Sequence, residues 1–469
     1  MADSEIVNTE TKENLSGSIW KEITQPFIDV VHTSRALKGL NLSYILEGLT
    51  YFGVVTLLAI YFNEFIGLND INAGLMVGVL TGGITLSMLF LGATVDWVGV
   101  RKSLLISLSF MLVGRILLAA APGLTGTSGM WSSAHILAML GLFGIILGYG
   151  IYQPACYAAV KQWTNESTAA MGYAMLYALM NLGGFLPGLI SPPLRKAFSI
   201  TGVFWVYSVL TVVGMIVVAF IITKKAVKQA EAEAAAGKEV IKVEKDEFEE
   251  MTGKEKLKFY MKNFPLKDLR FLYFIFILIP VQTLFAHNWL TIPQYTSRAF
   301  SGFVKDNFEF FSNFNPILIF VLTPMVAALT AKKNAYKMMI LGTFVMASPT
   351  FLLVLGPNVY TLFAFLIIMT IGEAMWQPRF LQWVAEIAPK NMTGIYMGIG
   401  QFPWFLTKVF TSFYSGWFLM HYCPEGVAPG QMNTEFMWLI YGFIAIISPI
   451  GLLLSKKWMM KGFKTKHND

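Results

Sequence analysis

Gly92-Ala-Thr-Val-Asp96-Trp-Val-Gly99-Val-Arg101-Lys102 is a short charged turn set between two long apolar runs, and it governs how the rest of the chain reads. Gly92 lets two helices approach closely. Asp96 can cap a helix end or pair with a cation, and Gly99 permits a tight reversal. Arg101 and Lys102 put positive charge where a cytoplasmic loop carries it. Such a turn belongs between two membrane-spanning helices.

The composition agrees. With 55% hydrophobic and 13% charged residues over 469 positions, and a mean hydropathy of +0.58, the chain lacks the polar surface of a water-soluble protein. A bilayer crossing takes roughly 20 apolar residues. Twelve runs meet that length, near 41–62, 71–95, 103–121, 133–160, 171–191, 202–223, 269–290, 310–331, 337–356, 360–385, 394–420 and 436–457. The expected fold is an all-α membrane protein with twelve transmembrane helices in two six-helix bundles. Residues 1–40 form an N-terminal tail, 41–223 the first bundle, 224–268 a charged linker rich in Ala, Glu and Lys, 269–457 the second bundle and 458–469 a C-terminal tail.

The net charge of +7 would suggest nucleic acid in a soluble protein. Here it follows the positive-inside rule: the outer loops hold only Arg195, Lys196, Arg298 and Lys305, and the other loop cations lie in the tails and inner loops. Both termini are therefore expected in the cytoplasm of a multi-pass protein of the cell (inner) membrane. The first 40 residues lack the basic start, apolar core and cleavage site of a secretory signal. Cys156 and Cys423 offer neither a disulfide framework nor a metal cluster. No His-Glu-x-x-His and no Gly-x-Ser-x-Gly elbow occurs, so neither an enzyme nor a metal or cofactor is expected.

Ionisable side chains inside a span are costly unless paired or facing a wet cavity, so each is a candidate for function. Glu47, Arg115, Glu373, Arg379 and Lys408 qualify. Glu47 shares a helix face with Tyr44 and Tyr51, which makes it a candidate proton carrier. Glu373 lies in the middle of span ten, with Trp376 and Gln377 one turn along its face. Arg379 is rotated away from it, which leaves Lys408 and Arg115 as partners for Glu373 or as substrate-binding cations. Structural ion pairing is an equal reading for either cation. Small-residue pairs such as Gly74 and Gly78, Gly144 and Gly148, and Gly184 and Gly188 suit close helix crossings.

The turn has the form G-x-x-x-D-x-x-G-x-R-K, which resembles the loop signature between helices 2 and 3 of the major facilitator superfamily. Further segments resemble the proton-dependent oligopeptide transporters within it: Glu47-Gly-Leu-Thr-Tyr51-Phe-Gly53, Gly150-Ile-Tyr-Gln153-Pro154, Asn181-Leu-Gly183, Asn315-Pro316, Gly372-Glu373 and Ala388-Pro389-Lys390. Where that family carries a second span-one acid, the chain has Tyr44. Gly48 and Val55 stand at the family's span-one arginines and Gln153 at its span-four lysine. The resemblance thus keeps an acid for a cationic nitrogen, Glu373, and lacks the cations that hold a carboxylate.

What the resemblance implies is a monomeric secondary transporter working by alternating access. It would move a small polar or zwitterionic solute, peptide-like molecules included, together with protons. Glu47 and Glu373 are the expected proton-coupling residues. Tyr51, Arg115, Gln153, Asn181, Asn315, Glu373, Trp376, Gln377, Arg379 and Lys408 are the expected substrate contacts. Gly92, Asp96, Gly99, Arg101 and Lys102 form the expected cytoplasmic gate. Two other readings stand beside this one: a proton-antiport exporter of amphipathic compounds, and a non-transporting membrane sensor or scaffold.

Overall fold

A computed structural model describes residues 33–92, 94–164, 166–236, 267–330, 333–387, 399–400 and 402–461. Residues 237–266 of the expected linker, the Ala388-Pro389-Lys390 segment and both ends of the chain lie outside these residues. The longer helices are α1 (Arg35–Glu64), α2 (Asp70–Leu91), α3 (Val100–Thr125), α4 (Ser133–Trp163), α5 (Glu166–Phe220), α6 (Lys224–Ala236), α7 (Leu269–Leu290), α8 (Phe314–Thr330), α9 (Ala335–Leu355), α10 (Val359–Ile387), α11 (Phe402–Tyr422) and α12 (Thr434–Met460).

Helix starts follow local chemistry. Ser34 caps α1 by accepting from the Leu37 amide, Asn69 caps α2 by accepting from Asn72, and Ser132 caps α4 by accepting from His135. Gly99, at φ +80°, turns the chain into α3 in a conformation that an L side chain rarely adopts.

Among the described residues nine helices are long and apolar enough to cross a membrane: α1 to α5, α7, α9, α10 and α12. α5 holds two of the expected spans, because its helical path breaks at Ser199 (φ 61°, ψ −179°) and reverses without a loop. α8 and α11 complete the twelve. α8 follows the short helix Phe308–Ser312 after Asn313, whose side chain donates to the Glu309 carbonyl. α11 is the polar span, with Thr407, Lys408, Thr411, Ser412 and Ser415 lowering its hydropathy.

The residues form two compact units. The first comprises residues 1–238, 288–328 and 411–432, and so takes in parts of the second half of the sequence. Glycines set its closest crossings. A Cβ on Gly114 would meet the Gly141 carbonyl on α4 at 2.5 Å, and one on Gly148 would meet the Ser107 carbonyl at 2.7 Å. Around Gly74 the α2 backbone faces the Ser412 carbonyl, where a Cβ would lie at 3.3 Å. α6 lies against α1 and α4, burying Ala226, Ala230 and Ala234 as a four-residue stripe.

The second unit comprises residues 239–287, 329–410 and 433–469. There Gly372 of α10 abuts the Met346 backbone of α9 so closely that a Cβ on it has no room.

Candidate functional site

Within the first unit, α1 and α3 bring Glu47 and Arg115 together. The guanidinium grips the carboxylate with both terminal nitrogens, Nη1 reaching Oε2 at 2.9 Å and Nη2 bonding Oε1. Nη1 also donates to Thr211 Oγ1. The two side chains are 3% and 1% exposed, so the pair is sealed from solvent. α1 starts at Arg35, six residues before the run read from the sequence, and Glu47 therefore lies about 18 Å along the helix. Arg115 is thus the partner of Glu47, not of Glu373. The sequence carries no depth register between spans and so does not single out this partner.

Tyrosines surround this pair. Tyr149 donates to the Glu47 carbonyl at 3.4 Å, and its ring meets Tyr51 with centroids 4.8 Å apart. Gln153 donates to Tyr44 at 2.9 Å and to Tyr157 at 3.0 Å, while Tyr44 stacks on Tyr152. Asn181 spends its amide on the Tyr177 carbonyl of its own helix, at 2.9 Å. Since Arg115 neutralises Glu47, this cluster holds hydroxyls and amides rather than net charge.

The same unit holds charged contacts that the sequence reading missed. Arg298 clasps Asp70 with two hydrogen bonds of 2.7 and 2.8 Å, and Arg195 holds the fully buried Glu309. Thr56 and Asn313 exchange hydrogen bonds at 3.0 and 3.2 Å. Beside these lies a cavity of about 580 Å³, lined among others by Glu64, Arg195, Arg298, Lys305, Asp306 and Glu425. Asp70 and Glu309 each sit one residue before the expected starts of spans two and eight. A count of ionisable residues confined to the spans passes over both.

In the second unit, Glu373 is 3% exposed. Trp376, fully buried, donates from Nε1 to Met346 Sδ, and the half-buried Gln377 has a shielded Oε1 with no hydrogen bond to a described residue. Arg379 donates to the Thr330 carbonyl at 2.7 Å. Lys408, half-buried on α11, makes no ion pair or hydrogen bond with a described residue. Asn315, 2% exposed, belongs to the first unit instead.

In the charged turn, Arg101 donates from Nε to the Ile222 carbonyl at 2.6 Å and from Nη2 to Ala219. It thereby caps the C-terminal end of α5, where helix carbonyls lack partners and attract cations. A Cβ on Gly92 would come 3.5 Å from Pro154, and Lys102 is exposed. The side chain of Asp96 lies outside the described set. Among the described residues no group of His, Cys, Asp and Glu is arranged to hold a metal.

The profile of the Major Facilitator Superfamily matches residues 40–412. No curated protein matches the sequence significantly. Among solved structures, the chain is similar to a mutant form of a peptide transporter POT, at 18% identity and a TM-score of 0.67, covering 92% of this chain and 96% of that one. It is also similar to a POT family transporter in complex with 5-aminolevulinic acid, at 16% identity and a TM-score of 0.65 over 91% and 97% of the two chains. A third is a POT family transporter bound to a thioalcohol-conjugated peptide, at 17% identity and a TM-score of 0.64 over 91% and 96%.

Proposed function

Because the chain belongs to the Major Facilitator Superfamily and is a multi-pass secondary transporter, we propose that it carries a small polar or zwitterionic solute across the cell membrane together with a proton. Both termini face the cytoplasm, and one chain is the working unit within the lipid bilayer. The observation that carries this reading is the sealed Glu47–Arg115 pair in the midst of apolar helices. Ionisable groups placed so deep are retained at a cost that packing alone does not require.

Two features of the chain give the cycle its steps. A proton arriving at Glu47 removes the charge that Arg115 grips, and so loosens the tie between α1 and α3. Asp70–Arg298, Arg195–Glu309 and Thr56–Asn313 join segments of the first and second halves of the sequence, on the side that the loop charges assign to the exterior. They serve as the outer latch of an alternating-access cycle. Glu373 receives the cationic nitrogen of the solute. Of the further residues proposed to contact solute, Tyr51, Gln153, Asn181 and Asn315 belong to the first unit, and Trp376, Gln377 and Arg379 to the second. Peptides and 5-aminolevulinic acid, ligands of the similar structures, join an amino group to a carboxylate and fit that description.

The test is transport by purified protein in liposomes, with dipeptides, 5-aminolevulinate and single amino acids as labelled solutes. An inward proton gradient should drive at least one of them above its external concentration, with matching alkalinisation outside. Efflux of amphipathic dyes in exchange for protons, without uptake of any polar solute, would overturn the reading in favour of an exporter.

A further inference from the structure

Among the described residues, the second unit contains two hydrogen-bond donors with no acceptor. Lys408 sits on a turn of α11 that its neighbours hold in place. The Trp404 ring meets Phe285 of α7 edge-on with centroids 5.2 Å apart, and Thr407 Oγ1 donates to Gln282 Oε1 at 3.1 Å. Gln282 is fully buried, and its Nε2 has no hydrogen-bond partner among the described residues. Lys408 has no partner among the described residues either, whereas Arg115 is held by Glu47 and Arg379 by the Thr330 carbonyl.

α7 and α11 carry no Asp or Glu along their whole lengths. Neither helix can supply the missing negative charge. A buried amide donor and a lysine in a membrane span are each unfavourable when left without an acceptor. Two such donors on contacting helices are both relieved by one group that brings lone pairs and negative charge.

We propose that Lys408 and Gln282 form the subsite for an anionic group, a carboxylate or phosphonate, on the transported solute. The inference rests on the transport reading and narrows its substrate class: a neutral or purely cationic solute leaves both donors unmet. The cation that holds the anionic end is thereby placed on α11.

Sulfate serves as a substrate-independent probe of the subsite. In a neutral detergent at constant ionic strength, sulfate should raise the melting temperature of the wild-type protein over chloride, and should not do so for Lys408→Met. The ligand-free Lys408→Met protein should melt at or above the wild-type temperature, because it loses a charge with no partner. A fall there would show that the lysine is a structural ion-pair member and overturn the proposal.

In liposomes, a solute bearing a carboxylate should be preferred over its amide by about tenfold to a hundredfold, the range for a hydrogen-bonded charge. Lys408→Met should abolish that preference, Lys408→Arg should keep it and Gln282→Leu should reduce it. If solutes are transported but the preference survives Lys408→Met, the subsite is refuted and the transport reading stands. A sulfate response that depends on Lys408, in a protein that moves no solute, supports the anion subsite and counts against transport. Stabilisation by phosphatidylglycerol but by no soluble anion would assign the donors to a lipid headgroup and overturn the solute subsite.

Discussion

Glu47 and Arg115 are joined by two hydrogen bonds across α1 and α3, in a place where each is almost wholly hidden from solvent. Breaking a buried pair leaves one charge stranded, at a cost of about 3–5 kcal/mol, whereas replacing both partners is often nearly neutral. Arg115→Met should therefore lower thermal stability markedly, and Glu47→Gln together with Arg115→Met should recover most of it. Unfolding of the two singles and the double in detergent measures this coupling.

Transport separates a proton role for Glu47 from a structural one. Glu47→Gln mimics the protonated acid but cannot release the proton. It should keep solute exchange across the membrane and lose accumulation driven by a pH gradient. Accumulation with the wild-type dependence on pH would show that the carboxylate serves packing alone.

Alanine at two glycines should differ in whether a second change can rescue it. A Cβ at Gly53 runs into the Tyr207 side chain, and one at Gly372 runs into the Met346 backbone. Both alanine variants should lose roughly 1–3 kcal/mol, the usual penalty for overpacking. Trimming Tyr207 to Ala should relieve part of the Gly53→Ala defect, while no side-chain change at Met346 should relieve Gly372→Ala. Melting temperatures of these pairs give the answer.

Cys423 reports on the outer latch. Burial is the main cause that pushes its thiol up to about 12, so it stays protonated and unreactive from neutral pH to about pH 10. Arg298 donates to the Cys423 carbonyl at 3.1 Å as well as to Asp70. Arg298→Ala should therefore speed maleimide labelling of Cys423 in the folded protein at pH 7.5 by an order of magnitude or more. An unchanged labelling rate would separate the latch from the end of α11.

Cysteines placed near Leu124 and Gly430 should label from outside intact cells, and one at Gly237 should not. Labelling of residue 237 in sealed cells would reverse the orientation drawn from the loop charges.

The architecture was legible because the bilayer imposes a length on every apolar run and a charge on every loop. Gly92, Gly99 and Arg101 then marked a reversal that a spanning fold needs. Partnership was less legible. Glu47 showed itself as a buried acid, but the sequence holds no record of how deep α3 sits beside α1, and Arg115 was left among several possible partners. Asp70 and Glu309 were harder still, since a polar residue at the edge of an apolar run looks solvated until the opposing arginine is known. Lys408 stood out for the opposite reason: a charge far inside a span is conspicuous whatever surrounds it.

The alanine stripe of α6 decides where the first half of the polypeptide ends as a physical object. Ala226, Ala230 and Ala234 seat this helix on α1 and α4, beyond the last residue of α5 at Phe220. A chain break after Ala236 leaves that seat occupied, although residues 288–328 and 411–432 of the same unit then lie on the other fragment. A split at Thr223 strips α1 and α4 of their cover and exposes them to proteases. The packed part of this stretch therefore ends a whole helix beyond the place where its apolar sequence stops.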